Sequence, residues 1–117
     1  MQNSIYINED ERRKLIEWVS GEEQFKAAKV VIANSRLPVG LHYHRRKREI
    51  FLLLSGHAQQ VQIGNQVEVD VAAPKKWVVN RGVYHGFILE PGSILLGVAT
   101  ELFDPEDEIK DEDLRLI

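Results

Sequence analysis

The chain contains no cysteine, and this absence removes several kinds of site at once. Without thiols the protein can form no disulfide, no thiolate zinc site and no cysteine nucleophile. A surplus of positive charge is also missing, since the formal net charge is -3 and the pI is near 5.8. A general nucleic-acid-binding domain is usually basic, so the composition disfavours that function.

Long apolar segments are absent as well. The longest apolar runs, FLLL at 51–54 and ILLGVA at 94–99, are far too short to span a bilayer. The first residues, MQNSIYINEDERRK, lack the apolar core that a signal peptide needs. Together with the lack of cysteine, these features predict a cytoplasmic protein with no membrane partner.

The chain does have enough apolar residues for one small core. They make up 44% of its 117 residues, which suits one domain and leaves little room for a second. We therefore predict a single domain over residues 1–117.

Near the N-terminus the pattern predicts one short helix, over residues 9–19 with the sequence EDERRKLIEWV. Asp10 stands where an N-cap is expected, and the apolar residues that follow would form one side of the helix. These apolar residues are Leu15, Ile16, Trp18 and Val19.

From residue 25 onward the pattern is that of strands. Short apolar runs are separated by turn signals at intervals of roughly 8–12 residues, as in a sandwich or barrel. Gly64-Asn65 lies between two alternating runs and is the clearest hairpin signal. Strands and helices do not alternate, which disfavours a doubly wound α/β fold. We predict an all-β fold with a barrel core over about residues 25–103 and a solvated acidic tail over residues 104–117.

Two histidines stand two residues apart in the segment LHYH. His42 and His44 should point to the same face of a strand, because side chains alternate there. Glu49 follows after the basic run RRKR, and it reaches that face only if the run forms a turn or bulge that resets the register. His85 enters a strand after a turn at Gly82.

Three histidines and one carboxylate suit a first-row divalent ion. Mn, Fe, Ni, Cu and Zn all accept such ligands, so the metal is not fixed by the sequence. One histidine in a strand is usually a core or surface residue, but the combined spacing favours a shared metal site. Its predicted ligands are His42, His44, Glu49 and His85, whereas His57 does not fit the set and is interpreted as a loop or edge residue.

These residues resemble the first motif of the cupin superfamily, G-x5-H-x-H-x3-4-E-x6-G. His42, His44, Glu49 and Gly56 match it in type and spacing, while Arg36 stands where the first glycine is expected. This motif is specific, and the match supports the metal site inferred above.

The second cupin motif, G-x5-P-x-G-x2-H-x3-N, is matched more weakly. Gly82 and His85 are present. The departures fall at turn positions and at the final asparagine, which are occupied by Pro74, Asn80 and Leu89. The resemblance covers about residues 36–89, and the flanking strands agree with it.

The resemblance implies a β-barrel of jelly-roll type, a metal near one end and a homodimer. It does not fix the reaction, because cupins include dioxygenases, isomerases, epimerases, decarboxylases and non-catalytic binders. A narrower resemblance is to nucleotide-sugar 3,4-ketoisomerase-like cupins. It rests on the H-x-H pair followed by basic residues, an apolar strand and Ser-Gly, and on the C-terminal ATELFDPEDEIKDED.

The first functional hypothesis is therefore a metal-binding sugar isomerase or epimerase that acts on a keto-sugar or nucleotide-sugar. His42 and His44 would be the catalytic acid and base if no metal were bound. With a metal bound, the ion would polarise the carbonyl instead. The alternatives are a metal-dependent dioxygenase and a non-catalytic small-molecule or carbohydrate-binding protein.

Two groups of cations stay open to more than one interpretation. Lys29 lies in an apolar strand and reads as an edge-strand lysine, with a barrel-facing position as the alternative. The basic run either holds a diphosphate through charge-assisted hydrogen bonds or forms a solvated turn. Its members are Arg45, Arg46, Lys47 and Arg48.

Overall fold

The computed structural model describes residues 5–19 and 25–110, and within these ranges the chain is nearly all strand. The strands are β1 Ile5–Glu9, β2 Arg13–Val19, β3 Ala27–Ala33, β4 Val39–His44, β5 Glu49–Ser55, β6 His57–Ile63, β7 Gln66–Ala72, β8 Lys75–Val79, β9 His85–Leu89, β10 Ile94–Ala99 and β11 Glu108–Lys110. A single 3₁₀ turn, Pro105–Asp107, precedes β11 in this part of the chain. No helix in the described ranges is long and apolar enough to cross a membrane.

The strands form two antiparallel sheets. One has six strands in the order β1-β2-β3-β10-β5-β8, and the other has five in the order β11-β4-β9-β6-β7. Within the described residues no strand pairing joins the two sheets. The predicted all-β class is thus confirmed as a two-sheet sandwich, while a closed barrel is not observed.

The predicted N-terminal helix over residues 9–19 is wrong. Residues 5–19 form the β1–β2 hairpin, and β2 also pairs along its length with β3. Asp10 does not cap a helix; its Oδ1 accepts hydrogen bonds from the backbone N–H groups of Arg12 and Arg13 at 2.8 and 3.3 Å and so closes the hairpin. A helix this short is marginal alone, whereas a strand here gains pairing on both edges. The side chain of Trp18 lies outside the described residues.

The core lies between the sheets. Alternate residues of β5 point into it: Glu49, Phe51 and Leu53 are each at most 3% exposed. Phe51 stacks edge-on against Phe87 of the other sheet, with ring centroids 5.1 Å apart. Phe51 also lies 5.6 Å from the ring of His85, so the apolar core ends directly beneath the histidines. The inner face of β5 therefore changes from charged at Glu49 to apolar at Phe51 and Leu53.

Residues 104–110 pack against the second sheet. Asp104 caps the 3₁₀ turn by accepting from the N–H of Glu106 at 3.0 Å, and β11 then pairs with β4. Asp107 is only 3% exposed. Residues 111–117 of the acidic segment lie outside the described residues.

Gly56 connects β5 to β6 at a tightly packed point. Its φ is 92°, and a Cβ there would lie 2.3 Å from Ser93 Oγ and 2.8 Å from Ser93 Cα. Ser93 Oγ itself accepts from the N–H of His57 and donates to its carbonyl, both at 3.0 Å. The space that a Cβ on Gly56 would need is therefore occupied by Ser93, whose side chain is held by two hydrogen bonds.

We expect Gly56→Ala to lower the free energy of unfolding by roughly 3 kcal/mol, from left-handed backbone strain plus overpacking. Gly92→Ala is the matched control, since its φ is 88° but no heavy atom of the described residues lies within 4 Å of the added Cβ. It should lose only about 1–2 kcal/mol. Urea unfolding measures both, and equal losses would contradict the packing argument.

Candidate metal centre and its cavity

β4 is bulged just before its two histidines. Gly40 pairs with Gly86 and His42 pairs with His85, so Leu41 is an extra residue on β4. Both Gly40 and Leu41 have positive φ, 90° and 62°. A bulge bends the strand locally, and here it sets His42 opposite His85. A Cβ on Gly40 would lie 3.0 Å from His85 O, so glycine permits this close approach.

The three histidines predicted as metal ligands lie close together. The centroid of the His42 ring lies 4.6 Å from that of the His44 ring and 4.7 Å from that of the His85 ring. One ring nitrogen from each lies within 4.8 Å of the others, a spacing that could hold a metal ion. His44 and His85 are buried. The predicted shared face of His42 and His44 is confirmed.

Glu49 approaches the histidines from the opposite sheet. Its Oε1 lies 3.5 Å from Nε2 of His44 and 3.5 Å from Nε2 of His85. β4 ends at His44 and β5 begins at Glu49, so residues 45–48 carry the chain from one sheet to the other. The predicted change of register is thus made by a crossing between sheets, because β4 and β5 do not pair as a hairpin.

Lys29 holds the other oxygen of Glu49. Its Nζ donates to Oε2 at 2.8 Å and lies 5.4 Å from the centroid of the Phe51 ring. Gly97 makes room for this path: a Cβ there would lie 3.2 Å from Lys29 Cε and 3.1 Å from the Phe51 ring. β3 lies between β2 and β10, so the edge-strand interpretation of Lys29 is wrong and the inward-facing alternative is correct.

Burial and neighbouring charges set the protonation of these groups. Burial lowers the pKa of His42 to about 2, with His85 and His44 adding to the effect. Burial also lowers the pKa of His44 to about 4, against the opposing influence of Glu49. Burial alone would raise the pKa of Glu49, but the Lys29 ammonium, above all, holds it well below its usual range. Neutral imidazoles and an ionised carboxylate are the states that metal binding requires.

A cavity of about 470 Å³ reaches His42 and His44. Its walls come from both sheets and from the segment after β10. They combine apolar surface, including Phe103, with the charged side chains of Arg13, Glu17, Lys29, Lys47 and Glu108. No sequence pattern predicts the place of Phe103, since its position depends on the fold of residues 100–104.

The four basic residues after His44 do not act as one group. Arg45 and Arg46 are exposed, and Arg46 pairs with Asp104 and lies 3.5 Å from Asp107 Oδ1. Arg48 Nε donates to Asn80 Oδ1 at 3.1 Å. Lys47 alone of the four is buried, at 3% exposure, and lines the cavity. A uniformly solvated turn is therefore not what this segment forms.

Asp107 is a site neighbour that sequence reasoning missed. Its Oδ1 accepts from the backbone N–H groups of Arg45 and Arg46 at 3.0 and 2.9 Å, which fixes the start of the crossing segment. Its Oδ2 lies 3.9 Å from Nδ1 of His44. The Asp-Pro pair at 104–105, a turn signal inside the acidic run, was the available hint that this segment folds back.

Comparison with known proteins bears on the fold. No known protein-family profile matches the chain, and no curated protein matches it in sequence. CapF of Staphylococcus aureus, a capsular polysaccharide assembling protein, has a TM-score of 0.76 at 19% identity over 93% of this chain and 32% of CapF. An oxalate decarboxylase of Bacillus subtilis has a TM-score of 0.74 at 19% identity, over 91% of this chain and 30% of the decarboxylase chain. The QdtA 3,4-ketoisomerase of Thermoanaerobacterium thermosaccharolyticum, in complex with TDP, has a TM-score of 0.62 at 20% identity. The match covers 76% of this chain and 68% of QdtA.

The protein has the cupin fold. The fold expected from the H-x-H motif is thereby confirmed. The chain spans about a third of the length of the CapF and oxalate decarboxylase chains that it matches. At these identities the likeness establishes the fold alone, and the chemistry has to be argued from the residues of this chain.

Buried atoms without hydrogen-bond partners mark the place where this protein could hold a metal ion. Among the described residues, Nε2 of His44 and Oε1 of Glu49 are buried without a hydrogen bond. His85 Nδ1 lies 3.4 Å from Val83 O, and donation to that carbonyl leaves Nε2 free toward Glu49. Ligand atoms bound to one ion at about 2.0–2.2 Å lie roughly 3–3.4 Å from each other. The two separations from Glu49, both 3.5 Å, are close to this, and the three histidine nitrogens lie within 4.8 Å of one another, so these residues could hold a divalent transition metal.

The Lys29–Glu49 pair can be tested by urea unfolding in EDTA. Lys29→Met should cost about 3–5 kcal/mol, because it leaves the Glu49 carboxylate buried and unpaired. The double variant Lys29→Met/Glu49→Gln should recover much of this loss, since no buried charge remains. A single variant as stable as the double would show that the pair does not hold the carboxylate.

Proposed function

We propose that this cupin binds one divalent transition metal through His42, His44, Glu49 and His85 and acts as an isomerase or epimerase on a keto-sugar held in the adjoining cavity. The observation that carries the metal assignment is the pair of buried, unpartnered atoms, His44 Nε2 and Glu49 Oε1, that face each other at 3.5 Å. Leaving such atoms unbonded costs stability unless a ligand satisfies them.

The protonation states favour the ligand role for the histidines over a direct acid–base role. A general base works best when its pKa is near the working pH. The pKa of His42 is about 2 and that of His44 about 4, so either would be a weak base at neutral pH. Their free ring nitrogens are nevertheless well suited to hold an ion.

The cavity supplies what an isomerisation next to a carbonyl requires. When bound, the ion supplies a positive centre that polarises a carbonyl oxygen. Two carboxylates, Glu17 and Glu108, line the same cavity and offer oxygens that can take a proton from one carbon and return it to its neighbour. Glu108 Oε2 lies 3.8 Å from His42 Nδ1, at the edge of the proposed metal site. The polar lining and the volume of about 470 Å³ suit a sugar-sized substrate.

Structural relatives lend support to both parts of the proposal. The oxalate decarboxylase of Bacillus subtilis has Mn(II) centres, and QdtA is a 3,4-ketoisomerase. The cupin fold is thus compatible with a metal centre and with sugar isomerisation, although the residues of this chain carry the argument.

Metal content is the direct test of the ligand set. Purified wild-type protein should carry or take up about one equivalent of a divalent transition metal by elemental analysis, because the three histidines cluster and Glu49 lies beside two of them. His42→Ala, Glu49→Ala and His85→Ala should each lose most of it. His57→Ala is the control, since this fourth histidine lies at the start of β6 and is absent from the His42, His44 and His85 cluster. Equal metal content in all four variants would refute the ligand set.

The reaction is tested with metal-loaded protein and a panel of free, phosphorylated and nucleotide-linked keto-sugars, followed by NMR. We expect solvent deuterium to enter next to the carbonyl of one substrate class and an isomer to accumulate. Glu49→Gln should abolish turnover. No exchange across the panel, or oxygen consumption without any isomer, would contradict the proposed reaction.

A further inference from the structure

Lys47 is a buried cation without an ion-pair partner. It is 3% exposed, and no carboxylate among the described residues lies within ion-pair distance of its Nζ. The centroid of the Phe103 ring lies 6.0 Å from Nζ. Burying an ammonium is costly unless something compensates it, so the position calls for an explanation.

The other cations of the cavity are already engaged. Lys29 is bonded to Glu49 at 2.8 Å, and Arg13 donates to Asn8 Oδ1 at 3.3 Å. Lys47 differs from both: it lines the cavity, and no ion pair joins its Nζ to a carboxylate of the described residues.

The charges around the cavity point to the kind of ligand. Three cations and two carboxylates line it, and Glu49 lies behind Lys29, so the fixed charges balance. A divalent ion at the histidines would leave two surplus positive charges in this cavity. The lining charges are those of Arg13, Lys29, Lys47, Glu17 and Glu108.

We propose that Lys47 binds an anionic oxygen group, a carboxylate or a phosphate, of the small molecule that occupies the cavity. The inference rests on the proposed function and narrows it, because the keto-sugar would then be acidic or phosphorylated. Charge-assisted hydrogen bonds from Lys47 hold the anion. Phe103, which is 57% exposed and lines the same cavity, offers an apolar face to the rest of the ligand.

The proposal also separates Lys47 from its basic neighbours. Arg46 is paired with Asp104, Arg48 donates to Asn80, and Arg45 is exposed. None of these three lines the cavity. The geometry therefore does not favour a phosphate held by all four residues of the basic run.

The test is an NMR titration of ¹⁵N-labelled protein with acetate and inorganic phosphate, and with acetamide as the neutral counterpart of acetate. Zinc-loaded and metal-free wild type, Lys47→Gln and Arg45→Gln are compared. Arg45→Gln removes the same charge from an exposed position of the same segment. Lys47→Gln should weaken anion binding about tenfold or more, while Arg45→Gln should change it by no more than about twofold.

A wild-type measurement covers the case in which Lys47→Gln fails to fold: acetate, unlike acetamide, should shift the amide signals of residues 44–48 and 102–103. Binding of acetate alone or phosphate alone supports the proposal and identifies the anion class. Equal weakening by the two variants, or shifts only at exposed arginines, would overturn it. Zinc stoichiometry is measured in parallel, so a protein that takes up no metal contradicts the proposed function, whereas a metal-loaded protein indifferent to Lys47→Gln contradicts only this inference.

Discussion

The ion pair between Lys29 and Glu49 is the interaction on which the candidate site depends. A carboxylate that is 1% exposed would normally be driven to the protonated form, and the Lys29 ammonium at 2.8 Å keeps it ionised. The pair also gives the two carboxylate oxygens different surroundings: Oε2 accepts a hydrogen bond from Lys29, and Oε1 faces the histidines. The absence of a side chain at Gly97 opens the route by which Lys29 crosses β10 to reach it.

Local spacing in the sequence was enough to predict the centre of the site. The H-x-H pair needs only strand alternation to put both rings on one face, and Gly82, at φ 77°, made the turn expected before His85. The alternation of Glu49, Phe51 and Leu53 likewise predicted a face that is charged at one end and apolar at the other. Such features depend on neighbours along the chain, which a sequence displays directly.

What the sequence could not supply depends on partners far along the chain. The segment 9–19 has a helical pattern, but β3 offers an edge that only the folded sheet reveals. Lys29 looks like an edge lysine until Glu49, twenty residues later, is seen beside it. Asp107 looks like part of a solvated acidic run until the N–H groups of residues 45 and 46 are found pointing at it. In each case a tertiary contact outweighed the local preference.

The crossing made by residues 45–48 has a thermodynamic consequence. The histidines belong to β4 and β9 of one sheet, whereas Glu49 belongs to β5 of the other. A chain in which only the five-stranded sheet had formed would offer the three histidine nitrogens without Glu49. Any ion bound by all four groups is therefore linked to the closure of the sandwich, and its binding free energy adds to the cohesion between the sheets. The ion would stabilise the fold in which both sheets are packed together, and its affinity would depend on how completely they pack.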